Sequence, residues 1–226
     1  MTENSDRWRR FERSSDAYLL TTLILLLLIV APILTSDFPY LESVLTAILV
    51  GAVVTLSMAS SNAPRWAIRA SWISSILVLA SVLFDTATEV RVVGVVVLAA
   101  LLIASPIVIL RRVGAHREVT ATTIWGAISA YLAFGMAFSL MYAAIVSVDP
   151  AAFNNMTAGG LGDPNYFSFV TMTTLGYGDI APVEDLPRAL VVFQTLIGQI
   201  YLIVVVARVV SMLGKPNEKL RHDPGE

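Results

Sequence analysis

The chain is 226 residues long, with 14% charged residues, a formal net charge of −2 and a mean hydropathy of +0.74. That balance is too apolar for a soluble domain of this size, and the bilayer is its natural solvent. It has no cysteine, so disulfides and thiolate metal sites are excluded, and His116 and His222 lie too far apart to suggest a metal centre.

A basic tail, residues 1–16, carries Arg7, Arg9, Arg10 and Arg13. A membrane span needs about 20 apolar residues, and six stretches qualify: 17–35, 41–60, 66–84, 91–110, 121–147 and 188–213. The first exceeds the 7–15 residues of a signal-peptide core, and it reads as a retained helix. With both termini cytoplasmic, 13 of the 15 Lys and Arg fall inside, as the positive-inside rule requires. The outer side then gathers acids, among them Glu42, Asp149, Asp163, Asp179 and Glu184, which are expected to be solvated.

Residues 17–113 are expected to form a four-helix peripheral membrane domain. Val92 to Leu110, the fourth span, contains no charge, and Pro106 interrupts it. A voltage sensor needs regularly spaced arginines there, so no strong voltage dependence is predicted. The basic stretch Arg111 to Arg117 links this domain to the next and is suited to anionic headgroups.

Residues 114–214 form the second domain. Gly126, Ala130, Ala133 and Ala137 on its first helix suit close packing. Residues 148–164 read as a polar loop. Asp163 is then the expected N-cap, with Pro164 at the first position of a helix over 164–174. That helix is too short to cross a membrane and must be re-entrant. Non-helical backbone follows it over 174–179, tolerated at such depth only when buried in protein or lining a water-filled path.

The run Thr171-Met172-Thr173-Thr174-Leu175-Gly176-Tyr177-Gly178-Asp179 resembles the selectivity filter of the potassium channel family, whose loop is TVGYG. The resemblance covers about residues 118–213 and is weak over the first four helices. It implies an all-α integral membrane fold: six transmembrane helices, a re-entrant pore helix and a filter loop, assembled as a homotetramer in the cell membrane. Potassium ions would be coordinated by the carbonyls of Thr174, Leu175, Gly176, Tyr177 and Gly178 and by the Thr174 hydroxyl. Gly176 and Gly178 enter left-handed backbone without steric cost. Thr171, Thr173 and Asp179 would support the filter, and Tyr177 would wedge against Tyr166 and Phe167.

In the inner helix, 188–213, the resemblance makes Gly198 a hinge, with helix packing as the alternative. It also puts Gln199, Leu202, Val206 and Val210 on the pore-facing stripe; Gln194 and Gln199 are alternatively bridges between helices. Two departures stand out. Val170 replaces the acid that pairs with the Asp179 position in some relatives, and Ala181 replaces an outer-mouth aromatic, so external tetraethylammonium block should be weak. A short tail, 215–226, ends the chain. Permeant potassium and membrane lipids are the expected partners; no cofactor, nucleic acid or catalytic constellation is implied, and an enzyme is not expected. The competing readings are a weakly selective sodium and potassium channel, a potassium-transporter subunit and a non-conducting structural subunit.

Overall fold

A computed structural model describes residues 18–32, 34–35, 38–60, 65–83, 92–104, 121–157 and 160–213. Both polar tails, Pro106, the basic stretch 111–117 and the two histidines lie outside the described residues.

Each apolar run becomes a helix, because a continuous apolar stretch satisfies its backbone polar groups internally only by coiling. The first four are α1 (Tyr18–Pro32), α2 (Pro39–Ser60), α3 (Arg65–Leu83) and α4 (Val92–Ala104). Then come α5 (Ala121–Val148), the short helix α6 (Gly162–Met172) and α7 (Asp185–Leu213). Among the described residues, two helices are long and apolar enough to cross a membrane, over Ile124–Val148 and Asp185–Val205; the apolar stretches Tyr18–Pro32, Val44–Leu56 and Val92–Ala104 are shorter.

The small residues of α5 do what their size allows. Ala133 and Ala137 are buried beside Leu25 and Leu28 of α1, Val50 and Val54 of α2, and Leu98 and Leu102 of α4. This layer joins the first four helices to α5. On another side of α5, Phe138 and Tyr142 pack with Phe153 and Phe167. Burial within the chain separates the two long helices sharply: 61% of the apolar stretch of α5 is covered, against 17% for α7.

The segment between α5 and α6 is not the polar loop its composition suggests. Ala152, Phe153, Met156 and Leu161 are buried. Phe153–Asn154 forms a strand, β1, antiparallel to β2 (Ala181–Pro182), with Phe153 opposite Pro182 and Asn154 opposite Ala181. This ribbon ties the chain before α6 to the chain after 174–179. Glu42 also departs from expectation. It is 6% exposed, and its carboxylate accepts the Leu161 N–H at 2.6 Å, so it joins α2 to the start of α6 instead of meeting solvent.

Candidate functional site

α6 begins at Gly162, not Pro164, and its N-cap is Leu161, which makes no side-chain cap bond. The Asp163 carboxylate is turned back to accept the Thr157 N–H at 2.8 Å, which takes it from the expected capping role. Pro164 is harmless in the first turn, where N–H groups lack intrahelical acceptors. The helix stops at Met172 rather than 174, because Thr174 turns to φ 61°.

From there the backbone alternates. Thr174, Gly176 and Gly178 have φ of 61°, 56° and 79°, so every second residue is left-handed. The two glycines accept this freely; Thr174, being β-branched, does so under strain. The N–H groups of Leu175 and Gly176 both turn back to the Val170 carbonyl, at 3.0 and 3.3 Å. Among the described residues, no carbonyl from Thr174 to Gly178 accepts a hydrogen bond, and Thr173 to Asp179 are exposed in the single chain. A run of oxygens without protein donors is suited to a cation. The Thr174 hydroxyl donates to the Thr173 carbonyl at 2.6 Å, and its own oxygen stays able to coordinate. The Thr173 hydroxyl caps the Phe169 carbonyl at 2.7 Å, whereas Thr171 contributes its backbone carbonyl, which accepts the Thr174 N–H at 3.0 Å.

Asp179 closes the run. Its carboxylate accepts the Tyr166 hydroxyl at 2.6 Å and the Ile180 N–H at 3.1 Å, and its carbonyl accepts the Asn155 amide at 2.9 Å. The Tyr166 bond is the main reason that Asp179 lies below the usual carboxylate range. Donating it likewise pushes the Tyr166 hydroxyl up to about 12. Tyr177 stacks on Tyr166, centroids 6.4 Å apart and planes 2° apart. Phe167 does not share that contact. It faces the other way, edge-on to Tyr142 at 5.1 Å and Phe153 at 5.5 Å. Adjacent helical residues point about 100° apart, so only one of the pair can meet Tyr177. Val170 supplies the backbone oxygen already described and no acid, and Ala181 is held in β2.

Behind α6 lies a buried polar relay. The Tyr142 hydroxyl donates to Gln194 Oε1 at 2.6 Å, and Gln194 Nε2 donates to the Ser168 carbonyl and hydroxyl oxygens at 3.0 and 2.8 Å. Ser168 in turn donates to the Gly135 carbonyl at 2.6 Å. All three long-range elements, α5, α6 and α7, are thus joined through one fully buried glutamine. Of the two glutamines weighed as bridges, Gln194 is one; Gln199 is half-buried. Gly198 sits against α6: a Cβ there would meet Met172 Cγ at 3.1 Å and its carbonyl oxygen at 3.2 Å. Close packing is therefore an observed use of Gly198. Leu202 is 38% exposed, while the side chains of Val206 and Val210 lie outside those described.

Three contributors lack any local signature: Asn155, Glu42 and Tyr142. Each acts through a partner distant in sequence. The one available signal was polar type inside a helix, at Gln194 and Ser168.

Comparison with curated proteins and with solved structures found no match. Residues 126–215 match the family model described as ion channel, a stretch that takes in most of α5, all of α6 and α7, and the alternating backbone between them.

Proposed function

We propose that this chain is one subunit of a homotetrameric potassium channel, with 174–179 as its selectivity filter. The observation that carries the reading is the alternation of left-handed backbone at Thr174, Gly176 and Gly178 with carbonyls that take no donor from the chain. A dehydrated potassium ion needs a cage of oxygens equal to its lost water, and rings of carbonyls supply it. One chain provides one side of such a ring, so four copies are required. The low burial of α7, 17% within its own chain, is consistent with a helix covered by neighbouring copies.

In this reading α6 is the pore helix, its C-terminal partial negative charge directed at the central cavity, and α5 and α7 are the outer and inner helices. The first four helices are further spans, both termini are cytoplasmic, and the whole sits in the cell membrane. Gly198, Gln199, Leu202, Val206 and Val210 belong to the inner helix that opens and lines the cavity. A tyrosine, not an acid, at 177 favours potassium over a mixed sodium and potassium pore.

The test is a reversal-potential measurement on reconstituted protein with potassium and sodium on opposite sides. A reversal near the potassium equilibrium potential is expected; equal permeability would overturn the reading.

A further inference from the structure

A crevice of about 100 Å³ lies where α2, α3 and α4 meet α5 and the residues before α6. Its lining is apolar except for a few polar groups. Glu42, Thr46, Ser147 and the backbone of Gly160 and Leu161 gather at one end, where α2 starts, α5 finishes and α6 is about to begin. Val50, Val78, Leu98 and Leu140 line the remainder. From Glu42 to Val50 is eight residues of helix, about 12 Å at 1.5 Å per residue.

The acid at the polar end is built in. Glu42 is 6% exposed, and its Oε1 accepts the Leu161 N–H at 2.6 Å. Both carboxylate oxygens press on Gly160: a Cβ there would stand 2.7 and 2.8 Å from them, so the close approach requires glycine. Among the described residues, no Lys, Arg or His lines the crevice. Withdrawing a carboxylate from water is unfavourable unless a cation or several donors compensate it, and one N–H is a partial answer. An acid heading an apolar slot matches a positive head on a short aliphatic tail. A dry apolar cavity of roughly 150 Å³ holds a benzene, so a smaller slot suits about four carbons.

We propose that this crevice is a binding site for a small primary alkylammonium, its ammonium on the Glu42 carboxylate and its chain against Val50, Leu98 and Leu140. The site stands independently of the conduction reading, because binding is measurable without an ion gradient.

The experiment is calorimetric titration of n-butylammonium into the full chain in detergent, with 1-butanol as the uncharged control. Saturable binding at one site per chain is expected, with 1-butanol at least about tenfold weaker, since hydrogen bonds to charged groups are the stronger class. Glu42→Gln should weaken n-butylammonium at least about tenfold while keeping an acceptor for Leu161. Ala47→Leu should also weaken it, by taking up volume and leaving the acid in place. Unsaturable uptake, equal for amine and alcohol, would mean partition into the micelle only and would overturn the proposal. So would an unchanged affinity in Glu42→Gln, which decides the matter even if Ala47→Leu fails to assemble.

Discussion

The Tyr166 hydroxyl reaches the Asp179 carboxylate at 2.6 Å, thirteen residues away, and so holds α6 and the end of the alternating backbone as one piece. Tyr177, stacked on the same ring, is the third member. Removing the donor with Tyr166→Phe should keep the stacking and free the acid. The expected outcome is a filter that loses its conducting form sooner, read as faster decline of potassium current during sustained opening. Asp179→Asn should move the decline the same way.

The same pair sets a pH window. Asp179 is held below its ordinary 3.8, chiefly by the Tyr166 hydrogen bond; a carboxyl with a lowered pKa contributes stability above its unfolded value and loses it as pH falls through the folded one. Tyr166 is raised from 10.0 to about 12, so its contribution is whole below 10.0 and is lost as pH rises through about 12. The stability difference between wild type and Tyr166→Phe should therefore be constant between 3.8 and 10.0 and shrink on either side. Thermal denaturation of the assembled protein across pH measures it.

Gln194→Leu would strip the Tyr142 hydroxyl and the Ser168 oxygens of a shared partner. Each buried polar group left unpaired costs about 1–3 kcal/mol. A loss of that size is expected in a denaturant titration. Adding Tyr142→Phe to Gln194→Leu should cost less than the sum of the two single changes, because the hydroxyl has already lost its acceptor.

Gly198 separates packing from pivoting. A side chain there meets Met172, so Gly198→Ala should be mildly destabilising and Gly198→Val more so, with Met172→Ala restoring part of the loss. A pivot without a packing role would instead show altered open probability in Gly198→Ala that Met172→Ala does not rescue.

The described part of α4, Val92–Ala104, carries no charged residue. A charge moved through the field would contribute about 2.3 kcal/mol per 100 mV. Open probability should therefore vary little with voltage in patch recordings; steep activation would show that charge moves elsewhere in the chain.

What could be read from the sequence was what is local. Helix positions followed from apolar runs, and the left-handed backbone at Gly176 and Gly178 from residues that enter it without steric cost. The start of α6 was misplaced by two residues because Asp163 and Pro164 form a strong helix-start signal, while tertiary contact with Thr157 took the aspartate away. Tyr166 and Phe167 looked interchangeable until helical phase turned them about 100° apart. Glu42 read as one more outer acid because its partner, Leu161, is 119 residues along the chain. Nothing nearby announces such a contact.

The two-residue ribbon between Phe153–Asn154 and Ala181–Pro182 brings the chain back to the place it left. Everything between those strands, α6 and the alternating backbone included, is a closed detour between the end of α5 and the start of α7. As long as the ribbon pairs, residues added to or removed from the stretch between β1 and α6 leave the distance between those supports unchanged, at the expense of the Thr157–Asp163 and Leu161–Glu42 bonds that hold that stretch.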